Sequence, residues 1–122
     1  MGWEIHITRA EQWPDSDQCP ISAEEWLALV EADPELMIDP RDNGPYFALW
    51  LAHKVDGDHP WFDWFEGAIN TKNPDRPTLG KALEIAKRLA ARVQGDDGEE
   101  YQRTEDLPQV SESFRRPWWR FW

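Results

Sequence analysis

Two histidines and two aspartates crowd the stretch "HKVDGDH": His53, Asp56, Asp58 and His59. Imidazole nitrogens and carboxylate oxygens are ligands for a divalent ion. The spacing matches no established ligand motif, however, and Asp-Gly-Asp is common turn chemistry, so no metal is expected. "GDDGEE" at 95–100 gathers carboxylates as part of a calcium loop does, without the alternating ligand positions. A hairpin turn at Asp97-Gly98 explains it better. Cys19 could pair with a histidine as a nucleophile, but it lies in "EQWPDSDQCP" with no flanking signature and reads as an ordinary free thiol. Asp63 and Glu66 stand among aromatic residues, the setting in which glycoside hydrolases tune a carboxylic acid. Three residues apart in a strand, they point to opposite faces and make no natural acid/base pair. No Gly-rich phosphate loop, nucleophile elbow or zinc-protease pair is present. The expectation is a non-enzymatic protein with no catalytic residue and no cofactor.

What remains is an aromatic surplus, nine tryptophans in 122 residues. Trp offers a large apolar surface and a single N–H donor, which suits cores, interfaces and membrane headgroup belts. Trp26 and Trp3 are core by helical and strand patterning. Trp50, Trp61 and Trp64 fall on a central hairpin, and two helices cannot cover both faces of it. Two readings follow for the uncovered face. The loop after Thr8 or the C-terminal linker covers it, or it is an exposed interface with Trp50, Trp61, Trp64, Asp63 and Glu66 as partner-binding residues.

The chain closes on "RRPWWRFW". This segment holds Arg115, Arg116 and Arg120 with Trp118, Trp119, Phe121 and Trp122, and no acid. Three uses compete: docking back on the acidic body with cation–π support, insertion at a membrane interface, and a linear motif for another protein. Docking, on the body itself or on a partner, is favoured over lipid, because the acidity of the body opposes approach to an anionic lipid surface.

The elements that would position these groups are legible in outline. "WEIHIT" alternates as a half-buried strand. Ser22 and Glu25 form a capping box, Ile21 and Trp26 a hydrophobic staple, and Ala23, Trp26, Leu27 and Val30 a buried stripe. "ADP" ends that helix. "YFALWLAHKV" and "WFDWFEGAIN" read as two strands of one hairpin, with Gly67 marking a bulge or a close backbone approach. Asn73 or Asp75 caps a second helix whose stripe is Leu79, Ala82, Leu83, Ala86, Leu89, Ala90 and Val93. Lys81, Lys87, Arg88 and Arg92 lie off that stripe, and Glu84 pairs with Arg88. A terminal hairpin follows. The expected architecture is a single α+β domain over 1–102, ordered β-α-β-β-α-β-β, with an antiparallel sheet of about four or five strands and two helices on one face. Residues 103–122 form a linker and the basic aromatic tail.

Composition narrows function. A net charge of -11, from 24 acidic against 13 basic residues, argues against nucleic-acid binding, which needs clustered Lys and Arg. It suits a basic protein partner, although acidity also simply keeps a protein soluble. One cysteine allows no intrachain disulfide and fits a reducing compartment, most simply the cytoplasm. The N-terminal residues do not resemble a signal peptide, and "YFALWLA" is too short to span a bilayer.

"EIHITRAEQW", "ISAEEWLALVEADPEL", "TKNPD" and "ARVQGDDGEEY" together resemble a small uncharacterised family of bacterial cytoplasmic proteins, over residues 3–102. That resemblance carries no assigned catalytic residues. In size and charge alone the chain is also similar to immunity proteins that neutralise a cognate toxin. The resulting expectation is a protein-binding module with an acidic, Trp-rich surface for a basic protein. The alternative is a membrane-peripheral protein tethered by its tail, and a further one an enzyme or metal protein.

Overall fold

The computed structural model describes residues 4–41 and 44–103. Trp3 and the tail residues Arg115, Arg116, Trp118, Trp119, Arg120, Phe121 and Trp122 lie outside the described residues. The strands are β1 (Glu4–Thr8), β2 (Leu36–Ile38), β3 (Phe47–Trp50), β4 (Trp61–Phe65), β5 (Ala68–Lys72), β6 (Arg92–Gly95) and β7 (Glu100–Tyr101). A 3₁₀ helix spans Trp13–Gln18, and the α-helices are α1 (Ala23–Ala32) and α2 (Arg76–Arg88). All seven strands join one antiparallel sheet in the order β2-β3-β4-β5-β1-β6-β7. The α+β class is as expected, and the count of four or five strands is corrected to seven among the described residues.

Two features account for the extra strands. β2 is three residues long, too short to show alternation. The expected single strand over "WFDWFEGAIN" is two strands joined by a tight turn. Glu66 (φ 50°) and Gly67 (φ 89°) both take positive φ, as the central residues of a type I′ hairpin turn require. Gly67 is also a close approach: a Cβ there would lie 2.6 Å from the Ser16 carbonyl oxygen and 2.9 Å from Pro20 Cβ.

Directly opposed residues in an antiparallel ladder share a face, so the register sorts the side chains. One face carries Leu36, Ile38, Ala48, Trp50, Phe62, Trp64, Ile69, Ile5, Ile7, Val93 and Tyr101. These join Trp26, Leu29 and Val30 of α1 and Leu79, Ala82, Ile85 and Ala86 of α2 in a single core. Both α-helices therefore pack on this face.

Local chemistry explains the helices. The Ser22 hydroxyl accepts from Glu25 N–H at 3.0 Å and the Glu25 carboxylate from Ser22 N–H at 3.0 Å, a complete capping box. Ile21 and Trp26 are both fully buried. The stripe is turned slightly from the expected one: Leu29 replaces Leu27, which is 37% exposed. Asp75 caps α2 through Thr78 N–H at 3.0 Å and the Thr78 hydroxyl at 2.6 Å. Its stripe ends sooner than the pattern implied, since Ala90 takes φ 54° beyond the last turn and Val93 belongs to β6. Glu84 does approach Arg88, at 3.6 Å.

Lys81 is a larger correction. Expected on the solvent side, it is only 3% exposed, because its Nζ donates to Asp33 at 2.7 Å and to Glu35 at 3.1 Å. Asp33 also receives Arg88 at 2.9 Å. Burial alone would raise the Asp33 carboxyl pKa; Lys81, the Glu35 backbone N–H and Arg88 outweigh it and hold it below the usual range.

Candidate functional site

The opposite, outer face divides into a covered and an open half. Over β1 and β6 the 3₁₀ helix forms a lid. The Trp13 ring stacks on His6 at 3.9 Å between centroids, with planes 13° apart. The Trp13 backbone N–H donates to Gln94 Oε1 at 2.8 Å, and Gln94 Nε2 donates to the Glu11 carbonyl at 2.7 Å. Ser16 and Thr8 hydroxyls meet at 2.7 Å. β1, expected to be half-buried, is thus buried on both sides, and the loop after Thr8 does cover this part of the sheet.

Over β2, β3 and β4 no helix lies among the described residues. The outer face of β4 reads Trp61, Asp63, Phe65. β3 adds Phe47 opposite Asp63 and Leu49 opposite Trp61, and β2 adds Met37 opposite Leu49. Phe47 and Trp61 stack at 5.0 Å. Phe65 is 63% exposed and Met37 41%, high values for large apolar side chains sharing one sheet face.

Asp63 stands in the middle of this surface and is half-buried. Among the described residues no donor reaches its carboxylate, and desolvation pushes its pKa above the usual carboxylate range. A cation placed beside such a carboxylate would offset its desolvation. Aromatic faces beside it add a quadrupole that also favours a cation. The arrangement can seat one Lys or Arg side chain.

The five body residues expected at a partner surface separate accordingly. Trp61 and Asp63 lie on the open face. Glu66 sits exposed in the adjoining turn. Trp50 and Trp64 project to the helix side, where Trp50 Nε1 donates to Glu35 at 3.0 Å and Trp64 Nε1 to the Ile21 carbonyl at 2.7 Å. Trp64 also meets Tyr46 edge to face at 5.0 Å. Met37, Phe47, Leu49 and Phe65 were not singled out from sequence. The alternation of β4 could have found Phe65, since it lies two residues beyond Asp63 and four beyond Trp61.

The histidines of "HKVDGDH" are engaged otherwise. His53 Nε2 meets Asp75 Oδ2 at 2.8 Å and His59 Nδ1 meets the His53 carbonyl at 2.7 Å. Asp56 and Gly57 form a positive-φ turn. The one His/Asp/Glu group that converges among the described residues is Glu4, His6 and Asp96. Cys19 is an exposed free thiol. Among the described residues no helix is long and apolar enough to cross a membrane.

No protein-family model, curated protein or solved structure matches the chain.

Proposed function

We propose that the protein is a non-enzymatic binding module that holds a basic protein partner on the open half of its outer sheet face. The observation that carries this reading is Asp63, an unpaired carboxylate ringed by Trp61, Phe47 and Phe65. An Arg or Lys of the partner would neutralise it, while the aromatic and aliphatic side chains supply the buried anchor area that dominates binding energy. The net charge of -11 would steer a basic protein to the face and make association salt-sensitive. Neutralisation of a toxin is one activity of this kind.

The test is capture from the lysate of the source cells, membranes included, on immobilised wild-type chain beside two variants. Asp63→Asn removes the charge, and Met37→Ser with Phe65→Ser removes exposed apolar area. One protein retained by the wild type, released by salt and lost with both variants supports the reading. Retention unaffected by either variant sinks it. A third bait ending at Ser113 separates the alternative: capture of lipid or protein that needs residues 114–122 would move the function to the basic aromatic tail.

A further inference from the structure

At the covered end of the same outer face lies a group the docking surface does not use. His6 is 2% exposed, clamped under the Trp13 ring. Its Nδ1 stands 2.6 Å from Asn70 Oδ1. Asn70 Nδ2 in turn donates to the Asp63 carbonyl at 3.3 Å. A carbonyl only accepts, so the amide orientation follows from it, and Oδ1 is the atom facing His6. Nδ1 must then be the protonated ring nitrogen. In the neutral imidazole Nε2 is left as a bare lone pair, and it points at Asp96 Oδ1 from 3.0 Å. Two acceptors at that separation repel unless a positive charge lies between or beside them.

We infer that Glu4, His6 and Asp96 form a binding site for a divalent transition-metal ion of the zinc type. One donor atom from each residue lies within 4.8 Å of the other two. Two ligands on bonds of about 2.1 Å stand about 3.4 Å apart in a tetrahedral shell, so Nε2 and Asp96 Oδ1, at 3.0 Å, need part by only a few tenths of an ångström to admit the ion. An imidazole Nδ1–H donated to an amide oxygen is the usual support behind a metal-bound histidine, because it sets the tautomer and aims Nε2. The Asp96 carboxylate is also steadied, since its Oδ2 accepts from Glu4 N–H at 3.1 Å. Glu4 and His6, two residues apart on β1, share one face. Asp96 directly follows β6, the neighbouring strand. Asp96 is exposed, so water can complete the coordination shell. One imidazole with two carboxylates and no thiolate suits a borderline ion such as Zn²⁺ over Mg²⁺, which rarely accepts nitrogen.

The experiment is calorimetric titration of the untagged full chain with zinc chloride, and separately with magnesium chloride, for wild type, Asp96→Asn and Asn70→Ala. Asp96→Asn is chosen because its amide N–H can donate to the Nε2 lone pair, so the fold survives while the anionic ligand is gone. The expected result is one saturable zinc site per wild-type chain, no comparable magnesium heat, and loss of the site in Asp96→Asn at an unchanged melting temperature. Asn70→Ala should weaken zinc by roughly 10- to 100-fold, as loss of support behind a ligand does. Absence of a one-to-one zinc heat in the wild type overturns the inference. It falls equally if Asp96→Asn binds zinc like the wild type, because the metal would then be elsewhere, for instance at His53 or His59.

Discussion

The two faces of the sheet carry side chains of the same kinds and treat them differently. On the helix side every described tryptophan indole N–H finds an acceptor: Trp26 the Tyr46 carbonyl at 2.9 Å, Trp64 the Ile21 carbonyl, Trp50 the Glu35 carboxylate. The buried charges there are paired, Lys81 with Asp33 above all. On the open outer face, among the described residues, no donor meets the Asp63 carboxylate and no acceptor the Trp61 indole N–H. A folded chain satisfies the groups it needs for stability. Polar groups without a protein partner beside exposed apolar area are what the proposed docking surface would use. The comparison can be broken by showing that substitutions on the two faces cost the same.

The largest expected effect is on the helix side. Trp26→Ala should cost about 4 kcal/mol, through lost burial and a cavity in the core, read as a shift of the urea midpoint. Asp33→Ala should cost about 3 kcal/mol, because it leaves Lys81 buried without its closest partner. Gly67→Ala comes next, at about 2 kcal/mol, from a strained left-handed backbone and contact with Ser16 and Pro20. Phe65→Ser, by contrast, should change stability by no more than about 0.5 kcal/mol, while abolishing partner capture. If Phe65→Ser destabilises as Trp26→Ala does, the outer face is core and the proposed docking surface is wrong.

This division of faces was only half legible in the sequence. Signals local to one element read correctly: the Ser22–Glu25 box, the Asp75 cap, the inward side of β1 and most of the α2 stripe. What failed depends on partners distant in the chain. Lys81 looked solvent-facing because its partner Asp33 is 48 residues away. The split of "WFDWFEGAIN" was missed because Glu66 carries no turn preference, although Gly67 beside it does. Trp50, Trp61 and Trp64 were grouped on one surface, yet Trp61 and Trp64 are three apart in a strand and must point to opposite sides. Trp50 and Trp61 come from different strands, and their relation rests on a register that pairs Trp61 with Leu49. A slip of one residue would reverse it. Glu4, His6 and Asp96 were overlooked for a similar reason: the pairing of β1 with β6 spans the chain.

The smallest effect discriminates between the faces most finely, because its sign differs. Glu25, beside the helix face, accepts from Arg9 and from the Ser22 backbone, which pushes its pKa down to about 2 from an ordinary 4.5. Its folded value lies below its unfolded one, so its contribution is present above about pH 4.5 and disappears as pH falls toward about 2. Asp63 shifts the other way, raised by desolvation. Its carboxylate therefore opposes folding at neutral pH, and the opposition is relieved as pH falls through the folded pKa. Glu25→Gln should lower stability at pH 7 and flatten the acid limb of a stability–pH curve. Asp63→Asn should raise stability at pH 7 by a few tenths of a kcal/mol, with the gain vanishing in acid. A basic partner bound at the face would hold Asp63 ionised, so complex formation should lower its pKa, readable as a carboxyl ¹³C titration of the free and bound chain. If Asp63→Asn destabilises the chain at pH 7, the carboxylate is already serving the fold, and the contrast between a self-satisfied face and an unsatisfied one fails at its centre.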